Sequence, residues 1–226
     1  MSLATGQVAA IIPAAGSGTR LNGAQPKAFV ELGGLTLLTR SALTLSSVVD
    51  VIVVAVPDGF IPQAASALEN VDAQIHIVKG GDSRQESICA GFQVLPADVS
   101  YVLVHDAARP LVPLNVVAEI IEKLQAGAQA VIPVLPLNDT VKRIDSNGVV
   151  LETLNRDELR RVQTPQGFTR EVLQKAYADP THLATDDAGL VEALGIRIET
   201  ITGSERALKI TTQDDLVYAQ TLLGSN

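Results

Sequence analysis

Tryptophan is absent from this 226-residue chain, and phenylalanine and tyrosine bring the aromatic share to only 3 %. Stacking platforms for single-stranded nucleic acid are therefore lacking, and the core must be built from Val, Leu, Ile and Ala. Cysteine occurs once, as Cys89, which excludes a disulfide framework and a zinc cluster. Lying at helical spacing between Ile88 and Phe92, it reads as a buried apolar filler. Positive charge is also scarce. The formal net charge of −8 argues against bulk nucleic-acid binding. Any anionic ligand must then be met by a local cluster of cations. Long apolar runs are missing too: the most apolar one, Val51 to Val56, is far too short to span a bilayer. The first residues, MSLATGQVAA, lack the basic region and apolar stretch of a secretory signal. The expectation is a cytoplasmic protein with neither nucleic acid nor membrane as partner.

What is present is a hydrophobic fraction of 46 %, enough for one large core. Short Val- and Ile-rich runs predict buried strands at Val8 to Ile12, Val51 to Val56, Gln74 to Val78, Tyr101 to His105 and Ala130 to Val134. Between them, Leu35, Leu38, Ala42 and Leu45, and later Val117, Ile120, Ile121 and Leu124, follow helical spacing. Strands alternating with helices imply βαβ units and a mainly parallel sheet. The fold class is α/β, as a single domain over 1–226. Towards the end, helices are expected near Thr169 to Tyr177, Asp186 to Leu194 and Thr211 to Leu223, with a strand at Ile196 to Ile201. Asp214 and Asp215 then fall in a first helical turn, where carboxylates suit the macrodipole.

One segment breaks the alternation. Thr140 to Leu154, TVKRIDSNGVVLETL, has two extended runs around Asn147-Gly148, a hairpin-turn signal. An isolated hairpin is marginal in water, so it must pack on its own domain or on another copy of the chain. Both an edge hairpin and a projecting dimer arm satisfy that demand.

Ligands of parallel sheets bind outside the carboxyl ends of the strands. Three predicted strand ends carry small residues beside charged ones. They are Pro13-Ala14-Ala15-Gly16-Ser17-Gly18-Thr19-Arg20, Gly80-Gly81-Asp82-Ser83-Arg84 and Asp106-Ala107-Ala108-Arg109-Pro110. Three such ends on one edge suggest one composite site. The first loop is no dinucleotide fingerprint, because Leu21 stands where a third small residue is needed, and it lacks the Gly-Lys-Ser/Thr of a P-loop. It offers a glycine-rich turn of backbone N–H groups with Arg20 and Lys27, a set suited to a triphosphate. Asp106 suits Mg²⁺, which takes one or two carboxylates plus substrate phosphates; an Asx turn is the structural alternative. His105 faces the other way along an extended strand and reads as structural, and His76 and His182 as incidental. No Ser–His or Cys–His pair is recognisable, which argues against a covalent intermediate and for direct displacement at phosphorus.

The order PAAGSGTRL (13–21) with Pro26-Lys27 resembles the signature of the sugar-phosphate nucleotidyltransferases. The stretches GGDSRQES (80–87), VHDAARP (104–110), NDTVKR (138–143), QTPQGF (163–168), TDDAGLVEALG (185–195) and LKITTQDDL (208–216) narrow the resemblance. Together they resemble the 2-C-methyl-D-erythritol 4-phosphate cytidylyltransferase family, over nearly the whole chain. The resemblance implies a Rossmann-like nucleotidyltransferase fold with a projecting β-arm at 138–157, and transfer of CMP from CTP to a polyol phosphate with Mg²⁺. It implies that Pro13, Ala14, Ala15, Gly16 and Gly18 line the CTP site, and that Gly81, Asp82 and Ser87 meet cytosine and ribose. Arg20 and Lys27 would stabilise charge at the α-phosphate. Asp106, beside the metal, would serve the substrate with Arg109 and Thr164, and Lys209 would place the attacking phosphate. Thr140 and Arg156 would reach the site from the arm of a partner subunit, making a homodimer.

Asn155, Arg160 and Ala207 depart from the family pattern beside these positions. With its last residue at Asn226, the chain is not expected to carry the cyclase domain of bifunctional homologues. A cytidylyltransferase for another polyol phosphate, such as ribitol 5-phosphate, is the nearest alternative. A nucleotide-binding regulator without turnover is the alternative outside enzymes.

Overall fold

The computed structural model describes residues 6–16, 25–179 and 184–224. The predicted strands appear as β1 (Gln7–Pro13), β4 (Val51–Val56), β5 (Gln74–Lys79), β6 (Val99–Val104) and β7 (Ala130–Pro136). Helices α1 (Leu37–Ser46), α2 (Ile61–Leu68), α3 (Arg84–Gln93) and α4 (Leu114–Gln125) separate them. Leu35, grouped with α1 by spacing, instead belongs to a two-residue strand, β3 (Leu35–Thr36), paired with β2 (Glu31–Leu32). Thr36 caps α1 by accepting from the Thr39 N–H, so the helix starts after it. His105, expected within a strand, lies just beyond the end of β6.

The chain then adds β8 (Lys142–Ile144), β9 (Val150–Thr153), β10 (Arg160–Val162), β11 (Gln166–Thr169), α5 (Arg170–Ala176), α6 (Asp187–Ala193), β12 (Glu199–Thr202) and α7 (Gln213–Leu223). The main sheet has eight strands in the order β10-β7-β11-β6-β1-β4-β5, with β12 paired to β7. β1 pairs in parallel with β4 and β6, and β4 in parallel with β5. β11 runs antiparallel between β6 and β7. The chain proceeds outward from β1 to β4 and β5, then returns to β6 on the opposite flank. That reversal opens a crevice at the carboxyl end of β1.

The near-continuous apolar runs reflect a sheet covered on both faces. Val8, Ala10 and Ile12 of β1 join the core shared with α1, α2 and α4. The alternate residues Ala9 and Ile11 join a second core with α3, α5 and α6. Cys89, expected to be a buried filler, is only partly covered, because it sits on the margin of the α3 face that Ile88 buries.

The Thr140–Leu154 segment is a hairpin of β8 on β9, apart from the main sheet. Its turn is wider than Asn147-Gly148 alone suggests. Gly148 N–H donates to the Asp145 carbonyl at 3.1 Å, and Asp145 N–H to the Val149 carbonyl at 3.0 Å. The Asp145 side chain also accepts from the Asn147 and Val149 N–H groups. Gly148 at φ +81° supplies the left-handed residue that such a bulged turn requires. Ile144, Val149, Val150 and Leu151 on this hairpin are each more than half exposed.

Candidate active site

At the carboxyl edge of the sheet, residues from five parts of the chain enclose one cavity of about 190 Å³. Pro13, Ala14, Ala15 and Gly16 come from the end of β1, and Lys27 and Ala28 from the short 3₁₀ turn Lys27–Phe29. Gly81, Asp82, Ser83, Arg84 and Ser87 come from the β5–α3 junction, Asp106 to Ala108 from the end of β6, and Lys209 from the segment before α7. The three strand ends singled out in the sequence thus meet. Gly18 and Arg20 lie outside the described residues, as does His182.

Small side chains shape the floor. Ala14 N–H donates to the Ala55 carbonyl at 2.7 Å, carrying the ladder past β1. A Cβ on Gly80 would stand 2.6 Å from the Ala15 Cβ and 2.8 Å from the Ser87 hydroxyl, so only glycine lets these loops touch. Ser83 and Glu86 form a reciprocal capping box at the start of α3. Ser87, expected to meet cytosine and ribose, is buried. Its hydroxyl accepts from the Gly81 N–H at 3.2 Å and donates to the Ser83 carbonyl at 2.9 Å. It therefore shapes the loop that presents Gly81 and Asp82.

Asp106 is the electrostatic centre. Lys209 Nζ lies 2.8 Å from its Oδ2, Arg84 Nε 3.1 Å from its Oδ1, and Arg109 Nε 4.0 Å from its Oδ2. Burial acts to raise its pKa, but Arg84, Lys209 and Arg109 outweigh it and hold the carboxyl well below the usual range. Burial lowers the Arg109 pKa, with Asp106 opposing. Arg109 Nη1 donates to the Ala207 carbonyl at 2.7 Å, while its Nε is a buried donor without a hydrogen-bond partner among the described residues.

Thr164, expected to touch the substrate, is buried and works from behind. Its hydroxyl accepts from the Asp106 N–H at 3.0 Å and lies 3.2 Å from His105 Nδ1. His105 is fully buried, and burial pushes its pKa down to about 4, so it stays neutral at pH 7 in the structural role read from the sequence.

Lys209 owes its position to residues that the sequence reading passed over. Gln163 accepts from the Ser204 N–H at 3.0 Å and donates to the Ser204 carbonyl at 2.8 Å. Ile210 N–H donates to the Ala108 carbonyl at 2.8 Å. The segment before α7 is thereby clamped to the Asp106 loop. Arg84 was likewise not assigned a role, though it stands in GGDSRQES. Its spacing from Asp106 along the chain carries no signal, because only the sheet order joins them.

Thr140 and Arg156 do not line the cavity of their own chain. Both are exposed on the arm and its base, where Arg156 donates to the Asn138 carbonyl. The unusual Asn155 caps the turn carrying Arg156, accepting from the Asp157 N–H at 3.3 Å, while Arg160 binds the Asp157 and Leu159 carbonyls. Buried Ala207 contributes its carbonyl to Arg109. These departures serve local backbone geometry.

No group of three or more His, Cys, Asp or Glu side chains able to hold a metal ion occurs among the described residues. Asp106 already has one oxygen on Lys209 and the other on Arg84. Three cations beside a single carboxylate do not fit a resident dication.

Residues 8–225 match the family model described as IspD, 2-C-methyl-D-erythritol 4-phosphate cytidylyltransferase. The protein of that name from Rhodococcus jostii is 50 % identical over 220 residues, covering 96 % of both chains. That from Rhodococcus opacus is 49 % identical over 225 residues, covering 99 % of this chain and 98 % of its own. Among solved structures, the Thermus thermophilus cytidylyltransferase is 35 % identical with a TM-score of 0.81, covering 96 % of this chain and 98 % of its own. The 4-diphosphocytidyl-2C-methyl-D-erythritol synthase of Anaerococcus prevotii is 31 % identical with a TM-score of 0.85, covering 97 % and 99 %.

Proposed function

The chain belongs to the 2-C-methyl-D-erythritol 4-phosphate cytidylyltransferase family, and from that premise we propose how its cleft carries out the family's reaction. The enzyme transfers CMP from CTP to 2-C-methyl-D-erythritol 4-phosphate. A phosphate oxygen of the substrate attacks the α-phosphorus, the bond to the β-phosphate breaks, and pyrophosphate leaves. The attacking phosphate is already anionic, so no general base is required. The work is positioning and charge stabilisation.

The observation that carries this reading is the convergence of Lys27, Lys209 and the Asp106 cluster on one cavity floored by Pro13 to Gly16. In it, CTP lies along Pro13, Ala14, Ala15 and Gly16, with Gly81 and Asp82 at the base and ribose and Ser87 setting their loop; Gly18, outside the described residues, keeps the nucleotide-binding role that the family resemblance implies. Lys27 and Arg20 offset charge at the α-phosphate. Lys209, partly exposed beside Asp106, draws in the substrate phosphate. Arg109 and Thr164 act by fixing the Asp106 loop.

Mg²⁺, where it takes part, is carried by the triphosphate rather than held in advance by Asp106, whose oxygens are engaged by cations. Thr140 and Arg156 complete the site of a second copy, the exposed apolar side chains of the 138–157 arm being covered in a homodimer. No helix among the described residues is long and apolar enough to cross a membrane, and a cytoplasmic enzyme is the setting proposed.

Pyrophosphate release with CTP, assayed in parallel with methylerythritol phosphate and ribitol 5-phosphate, tests the substrate assignment. Turnover with the former is expected; preference for ribitol 5-phosphate overturns it.

A further inference from the structure

The ionic network around Asp106 extends past the cavity into the helices behind it. Arg84 opens α3 and bridges two carboxylates: Nε lies on Asp106 Oδ1 at 3.1 Å and Nη2 on Asp187 Oδ2 at 2.8 Å. Asp187 is fully buried, and its other oxygen accepts from the Tyr177 hydroxyl. Neither Asp187 nor Tyr177 lines the cavity.

The carboxylate is itself firmly seated. Asp186 caps α6 by accepting from the Gly189 N–H at 3.0 Å, and accepts from Gln166 Nε2 at 2.7 Å. Gln166 in turn accepts from the Ala188 N–H at 2.9 Å. Gln166 lies opposite Val104 in the sheet, two residues before Asp106. The frame that fixes Asp187 is thus the one that carries Asp106, and the rigid fork of Arg84 spans the gap. A fork satisfied on two edges has its plane set, and with it the first turn of α3 and the Gly81-Asp82 loop.

Charge points the same way. Arg84, Arg109 and Lys209 surround Asp106, and Asp187 balances one of these cations. With Asp187 the five groups sum to +1; without it, to +2, with one edge of the Arg84 fork released.

We propose that Asp187, supported by Tyr177, is a positioning residue for the transfer reaction. It holds Arg84 on Asp106 and keeps that guanidinium from competing for the triphosphate. The inference rests on the cytidylyl-transfer reading of this cleft.

Asp187→Asn keeps the shape and removes the charge. Its kcat is expected to fall roughly tenfold without a rise in the KM for CTP, since positioning is lost while the cleft gains net positive charge. In an Asp106→Asn background the same substitution is expected to change kcat less than about twofold, because residues acting through one network are not additive. Equal losses in both backgrounds, or no loss in either, overturn the proposal. Tyr177→Phe, a milder change that leaves one oxygen of the buried Asp187 carboxylate without its donor, is expected to cost about two- to threefold in kcat and to lower the unfolding midpoint modestly; it answers for Asp187→Asn should that variant fail to fold, and an unchanged kcat then overturns the proposal. The Arg84 Nε–H resonance in proton–nitrogen NMR requires no turnover. It is expected to be sharp in the parent chain and broadened in both variants, and an unaltered signal overturns the proposal even if the parent fails to release pyrophosphate from CTP.

Discussion

Lys27 and Lys209 come from opposite ends of the chain and line one cavity. The sequence marked Lys27 through its neighbours in the glycine-rich loop, but Lys209 only through a family resemblance. The reason is physical. A cation beside a glycine turn declares its purpose locally, whereas Lys209 depends on Gln163 and Ala108, more than forty residues away, for its place. Arg84 and Asp187, which are 103 residues apart, could not be joined by any spacing rule. At this scale the account predicts that Lys27→Ala lowers kcat by roughly 10²–10³, as expected for loss of one charge-stabilising donor. Steady-state kinetics check this. A rise in KM at unchanged kcat would place Lys27 in ground-state binding instead.

Elements were legible where one periodicity persisted. β4 was read to the residue, and α4 is anchored by the Val117, Ile120, Ile121 and Leu124 stripe. β10 and β11 went unread because they are short, carry Arg, Gln and Gly, and have no alternation to display. Their order is a tertiary matter, with β11 inserted antiparallel between two parallel strands. Asp214 and Asp215 were read as first-turn carboxylates that suit the macrodipole, and both do lie in the first turn of α7, where Asp215 also forms a capping box with Thr212. Burial opposes ionisation of Asp215, but hydrogen bonds from Thr211 and Thr212 bring its pKa down to about 2. A carboxyl with a depressed native pKa stabilises above its unfolded value near 3.8 and loses that contribution as pH falls towards the native one. Thr212→Ala is expected to cost about 1 kcal/mol, measured by denaturant unfolding at pH 7. A Thr212→Ala chain as stable as its parent at that pH would remove the cap from the account.

At the scale of the whole molecule, the composite cleft was legible because ligands of open parallel sheets bind outside the carboxyl ends of the strands, which turns three strand ends into one address. The arm was legible as a hairpin but not as to its destination, since the sequence offers two places to bury Ile144, Val150 and Leu151. All three stay exposed in a single chain, as the proposed dimer requires of them. The account's central claim joins these parts: one catalytic site is made from the cleft of one subunit and the arm of another. Mixing two inactive variants, Lys27→Ala and Arg156→Ala, after subunit exchange tests it most directly. Half of the dimers are then mixed, and each mixed dimer has one site with both residues intact, so about a quarter of the parental rate of pyrophosphate release should return. A mixture no more active than the average of its two components would contradict the shared site.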